Sequence, residues 1–269
     1  MEYETSPKPF RKGVYVLPNL FTAGSMFAAF WGMVLAGTGD FTGCAIAILI
    51  SALLDGMDGK IARLTRTVSE FGVQFDSLAD VIAFGVTPAF MVYEWQLHSL
   101  SRVGMAAASL FVVCGALRLA RFNIMTGSIG KKFFIGLPIP AAGCALACLV
   151  LFNQYLPEST LPFLPRLTLG LTVCLAFLMV SRIRYFSFKE YGFLYAKPFR
   201  SLVIGVIIVT MIYTEPQLLG FSFFIGYLLS GPIYTFFFFR RRVAAGVDAD
   251  MPEVSLDNDK GSNKAKPPD

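Results

Sequence analysis

Eight apolar runs divide this chain, at about residues 17–37, 41–64, 73–94, 103–124, 139–156, 165–181, 199–214 and 217–239. A bilayer core about 30 Å thick is crossed by about 20 apolar residues in a helix, and in lipid every backbone N–H and C=O must be satisfied internally. Each run is therefore predicted to be a transmembrane helix, and the chain an all-α integral membrane protein with about eight transmembrane helices. The sixth and seventh runs are short, and Gly231-Pro232 interrupts the eighth. Lys8, Arg11 and Lys12 precede the first run, and Ala36-Gly37-Thr38 follows it, as in a signal peptide. A run of about 20 residues is too long for the apolar region of such a leader, so it is read as a membrane span.

An even number of spans puts both termini on one side, and the basic residues test that arrangement. Of the 23 Lys and Arg, 21 fall in the N-terminal segment, in the connections near 60–66, 118–132 and 182–200, and in the C-terminal tail. Only Arg102 and Arg166 fall on the other side, where the short loops carry Asp40, Glu94, Glu158 and Glu215. By the positive-inside rule the basic side is cytoplasmic. The expectation is a multi-pass protein of the cell (inner) membrane with both termini in the cytoplasm. Residues 1–16 then form a cytoplasmic segment suited to the membrane surface, and 17–239 the transmembrane domain. Residues 240–269 form a polar cytoplasmic tail whose composition predicts disorder. The net charge of +5 and pI of about 9.0 would point to nucleic acid in a soluble chain; here they reflect topology, and no nucleic-acid partner is expected. The five cysteines, Cys44, Cys114, Cys144, Cys148 and Cys174, lie inside apolar runs and read as packing residues.

Only 15% of the residues are charged, so four acids in or against the second and third runs demand a reason: Asp55, Asp58, Asp76 and Asp80. One Asp near the centre of a membrane helix costs about 2.5–3.5 kcal/mol on insertion scales. Asp55 and Asp58 are three apart and Asp76 and Asp80 four apart, spacings that share a helix face. In an antiparallel hairpin turning near residue 68, Asp55 falls level with Asp80 and Asp58 with Asp76. The deeper layer lies about 12 Å from the cytoplasmic interface at about 1.5 Å per residue, so the site is expected to open to the cytoplasm. Four ionised carboxylates in one cluster repel, and two divalent cations would neutralise them. Oxygen ligands select hard ions, Mg²⁺ or Mn²⁺ with Ca²⁺ as a further occupant, and such ions hold phosphate-bearing substrates.

The surroundings suit phosphate chemistry. Gly56 and Gly59 remove side chains where a nucleotide or diphosphate would approach the backbone, although small residues also serve close helix packing. Ala62 keeps the same face low, and Arg63 offers a bidentate donor to phosphate or to a neighbouring Asp. The fourth run ends Ala116-Leu-Arg118-Leu-Ala-Arg121-Phe-Asn123. Its two arginines share one face at the cytoplasmic end and suit a carboxylate or a phosphate, or else anchor the helix among anionic headgroups. Intramembrane acids also mark cation-coupled transporters, but these gather near one membrane face and no internal repeat accompanies them.

The segment Asp55-Gly-Met-Asp58-Gly59-Lys-Ile-Ala62-Arg63, eight residues, Gly72, three residues, Asp76, three residues, Asp80 resembles the signature of the CDP-alcohol phosphatidyltransferase family at every fixed position. The resemblance implies a membrane enzyme with a six-helix core, here followed by two further C-terminal helices. It also implies a two-metal site and transfer of a phosphatidyl group from a CDP-linked lipid to an alcohol, with release of CMP. By the same resemblance Asp55, Asp58 and Asp76 are metal ligands, and Asp80 borders the metals as general base. Gly59, Ala62, Arg63 and Gly72 shape the CDP-lipid pocket.

Leu17-Pro18-Asn19-Leu-Phe-Thr22, Leu117-Arg118-Leu-Ala-Arg121-Phe-Asn123, Phe134-Ile-Gly136-Leu-Pro138-Ile-Pro140 and Ser181-Arg182-Ile-Arg184 are similar to one branch of that family, whose acceptor is L-serine. This wider likeness covers roughly residues 14–200. It implies CDP-diacylglycerol and L-serine as substrates, with Arg118, Arg121 and Asn123 at the serine or at an acceptor phosphate. Asn19 and Thr22 are read equally as cytidine contacts and as a helix cap and an interfacial hydroxyl. Glycerol phosphate or inositol phosphate would suit the same arginines, whereas choline, a cation, would not. A homodimer among membrane lipids is also implied.

Overall fold

The computed structural model of the protein describes residues 16–65, 69–125, 134–181 and 183–185, with helical positions 220, 222, 224–228 and 230–232. The first six apolar runs are helical. They form α1 (Val16–Gly37), α2 (Phe41–Thr65), α3 (Glu70–Asp80), α4 (Thr87–Trp95), α5 (Ser101–Met125), α6 (Ile139–Phe152) and α7 (Leu164–Val180). A π-helical turn, Val81–Val86, joins α3 to α4, so the third run is one continuous rod, Glu70–Trp95. Among the described residues five helices are long and apolar enough to cross a membrane, and Ile139–Tyr155 is a shorter apolar one, which makes this a multi-pass membrane protein. The seventh run, 199–214, lies outside the described residues, as do 1–15 and 240–269; the eighth is helical at its described positions between 220 and 232.

Local chemistry sets the boundaries. Gly39 takes a left-handed φ of +88° after α1, and the Asp40 carboxylate accepts from the Gly43 N–H at 2.8 Å to start α2. Ser69 does the same for α3, accepting from the Gly72 N–H at 3.0 Å. The π turn follows from Pro88, which has no N–H to give the Phe84 carbonyl. The Thr87 N–H reaches back instead to the Ile82 carbonyl, one residue further than in an α-helix.

Packing centres on α6, which is buried on all sides from Ala142 to Val150. An all-apolar helix belongs in the middle of a bundle, and α2, the π turn, α4, α5 and α7 enclose it. Gly143 permits the closest approach: a Cβ there would lie 2.8 Å from the Phe84 carbonyl oxygen that Pro88 leaves without its helical partner. Along the α1–α2 seam the Ser25 and Ser51 hydroxyls meet at 2.6 Å, and the Ser51 hydroxyl reaches the Ser25 carbonyl at 2.9 Å. Polar pairs of this kind join helices where lipid offers no hydrophobic drive. Phe27, Phe30 and Trp31 face outward from α1, as expected of a lipid-facing surface.

α2 and the rod that begins with α3 form the hairpin expected from the sequence, but its arms open towards the turn. α2 converges with the π turn and α4, but towards the Thr65 end it parts from α3, and α1 packs against both. The carboxylates sit where the two rods diverge. Elsewhere two short strands, β1 (Phe134–Ile135) and β2 (Arg184–Tyr185), pair antiparallel with Phe134 opposite Tyr185. Gly136 follows at φ +83°, its N–H bonded to the Ile183 carbonyl at 2.9 Å.

Candidate active site

Asp55 and Asp58 project from the later turns of α2, and Asp76 and Asp80 from the last turns of α3 before the π turn. Ligand oxygens of Asp55, Asp76 and Asp80 lie within 4.8 Å of one another. The Asp55 and Asp80 carboxyls are neighbours in this trio, which places them level, as their spacing from the turn predicts. Asp58 lies within electrostatic reach of Asp76 but outside this trio, because its carboxylate is turned to α1. There the Thr22 hydroxyl donates to Asp58 Oδ2 at 2.7 Å.

The trio is a place for a cation on two observations. At an effective dielectric of about 20, like charges within 4.8 Å repel by at least about 3 kcal/mol per pair. In addition Oδ1 of Asp76 and Oδ1 of Asp80 are buried without a hydrogen-bond partner, an arrangement that needs a counter-ligand. A hard divalent ion supplies both charge and ligation, and the all-oxygen donor set fits one. Gly56 and Gly59 on α2 have nothing within 4 Å of where a Cβ would stand, so their faces open onto space beside the carboxylates.

Arg118 on α5 is 7% exposed, lies within electrostatic reach of Asp80, and stands over the Phe122 ring at 5.8 Å. Its Nε is buried with no hydrogen-bond partner, and Tyr227 of the eighth run stands near it. Arg121, one turn on, is used differently. Its Nη1 donates to the Val180 carbonyl at 3.1 Å and its Nη2 to the Ser181 carbonyl at 3.4 Å, tying α5 to the end of α7. Asn123 donates to the Ser77 hydroxyl at 3.0 Å and so ties α5 to α3 beside Asp76. Asn19 stands by Gly72, its Oδ1 being 3.3 Å from where a Gly72 Cβ would be.

The structure thus gathers Asp55, Asp58, Asp76, Asp80, Thr22 and Arg118, with Asn19 and Gly72 at the start of α3. The side chains of Ala62 and Arg63 lie outside the described residues. Sequence reading missed Ser77 and Tyr227, and it missed the partnership of Thr22 with Asp58. The available signal for the last was a hydroxyl in an apolar helix, since buried polar groups in membranes seek partners.

A family model described as CDP-alcohol phosphatidyltransferase matches residues 15–181. The chain is 42% identical over 224 residues to a CDP-diacylglycerol–serine O-phosphatidyltransferase of Helicobacter pylori strain J99, covering 82% of this chain and 91% of the relative. It is 32% identical over 178 residues to the Bacillus subtilis protein of the same name, covering 65% and 93% respectively. An archaetidylserine synthase of Methanothermobacter thermautotrophicus is 34% identical over 171 residues, 63% of this chain and 69% of that one.

Proposed function

The chain belongs to the CDP-alcohol phosphatidyltransferase family, and we propose that it transfers the phosphatidyl group of CDP-diacylglycerol to the hydroxyl of L-serine, releasing CMP. The observation that carries this reading is the meeting of a carboxylate trio with one buried guanidinium, Arg118, in a chain whose bacterial relatives bear that activity in their names.

Asp55, Asp58, Asp76 and Asp80 would hold two divalent cations, Mg²⁺ or Mn²⁺. Such ions, when bound, supply positive charge that offsets the donor diphosphate and the charge growing on CMP. The residues of the chain do the rest. Asp80 takes the proton of the serine hydroxyl as that oxygen forms its bond to the lipid-side phosphorus, and the bond from phosphorus to the CMP oxygen breaks in line. Arg118, within electrostatic reach of Asp80, would bind the serine carboxylate by charge-assisted hydrogen bonds. Arg121 and Asn123 hold the end of α5 in place through α7 and Ser77, and so support the acceptor side. Gly59, Ala62, Arg63, Gly72 and Asn19 would shape the CDP-lipid side, as the family resemblance implies, with the glycines admitting the diphosphate close to backbone. The site opens to the cytoplasm from the inner membrane, and the working unit is a homodimer.

The test is an acceptor panel. Purified protein in detergent receives CDP-diacylglycerol, Mn²⁺ or Mg²⁺, and serine, glycerol phosphate, inositol phosphate or choline in turn, and CMP and lipid product are measured. Serine alone should release CMP, and EDTA should stop it. CMP release with another alcohol and none with serine would sink the assignment.

A further inference from the structure

The hydroxyl of Thr22 is 36 residues from Asp58 in sequence, yet it donates to Asp58 Oδ2 at 2.7 Å in a buried setting. Both residues are nearly inaccessible, Thr22 at 4% and Asp58 at 5% exposure. A threonine hydroxyl has one proton to give. Its other acceptor, the Pro18 carbonyl, is at 3.3 Å, so the short contact to the carboxylate takes most of the bond. That proton is then committed within the chain and is not available to donate to a cytidine.

The placement is over-determined. Ser25 lies one helical turn from Thr22 on the same face of α1, and its hydroxyl locks onto Ser51 of α2 at 2.6 Å. Gly32, further along, lets α1 press against Ala47 of α2. The α1–α2 register is therefore fixed by contacts independent of Asp58, and Thr22 is held at the carboxylate by that register. The other three acids converge on one another; Asp58 alone is steered by a neutral hydroxyl from a different helix.

We infer that Thr22 is a positioning residue for Asp58, fixing the rotation of its carboxylate so that it completes the cation site opened by Asp55, Asp76 and Asp80. The inference rests on the proposed metal site and adds α1 to the elements that build it. Donors that orient metal-binding side chains are typically worth about 10–100-fold in metal affinity.

The test is Mn²⁺ binding itself, read by electron paramagnetic resonance of free Mn²⁺ titrated into the purified full-length protein in detergent without lipid substrate. Thr22→Val keeps the volume and removes the hydroxyl, and should weaken binding by about 10–100-fold. Thr22→Ser restores the donor and should recover most of that affinity. If Thr22→Val does not fold, as judged by size exclusion, Thr22→Ala takes its place. Asp76→Asn is run in parallel and should lose binding. Unchanged binding in Thr22→Val, with Asp76→Asn impaired, overturns the role of Thr22 and leaves the metal site standing. Unchanged binding in Asp76→Asn overturns the metal site and the role of Thr22 with it.

Discussion

Asp80 and Arg118 lie within electrostatic reach of each other on α3 and α5, and the proposed chemistry divides between them. Asp80→Asn removes the base and should lower turnover by about 10²–10⁴-fold while CDP-diacylglycerol binding stays measurable. Near-normal turnover in that variant would remove Asp80 from the proton transfer. Arg118→Ala should raise the KM for serine by about 10–100-fold, the equivalent of one hydrogen bond to a charged group, and change that for CDP-diacylglycerol much less. Equal effects on both would move Arg118 to the donor phosphate. The carboxylates were legible because acids in an apolar run demand compensation, and their three- and four-residue spacing fixes a common face. Arg118 and Arg121 also share a face, but the sequence could not separate their tasks. The partners of Arg121 are carbonyls at Val180 and Ser181, about sixty residues away, and no local pattern encodes them.

Among the helices, length and position were legible and mutual packing was not. Runs read at 41–64 and 103–124 became Phe41–Thr65 and Ser101–Met125, because the need to satisfy backbone groups in lipid leaves little choice of structure. Hydropathy says which residues avoid water, not which neighbour they meet, so the divergence of α2 from α3 around α1 was invisible. The π turn was hidden too, since one extra residue per turn hardly alters an apolar run, although Thr87-Pro88 inside it was a usable mark. α6 depends on its approach to that turn. Gly143→Ala would push a Cβ against the Phe84 backbone, which cannot move aside as a side chain can. It should destabilise the protein by about 1–3 kcal/mol, read as a lower melting temperature in detergent. Gly170→Ala, mid-way along α7 with open space around it, should leave melting unchanged. Equal melting of both variants would contradict the close α6 packing.

Over the whole molecule, a bundle with one buried central helix carries its reaction centre towards one end, where α2 and α3 part. The distribution of basic residues supports the proposal that this end faces the cytoplasm, a property of the entire chain and of no single span. In a cysteine-free background, Ser262→Cys should react with a membrane-impermeant maleimide only when the cytoplasmic face is outward, and Gln96→Cys only from the opposite face. Labelling of both from one side would break the eight-span topology. If the carboxylates of this bundle serve phosphatidyl transfer to serine, isotopically labelled L-serine reports it in the lipid product. With CDP-diacylglycerol and Mn²⁺, label should enter lipid in equal amount to the CMP released, and Asp80→Asn should lower both products by about 10²–10⁴-fold. CMP released without label in lipid would contradict the account.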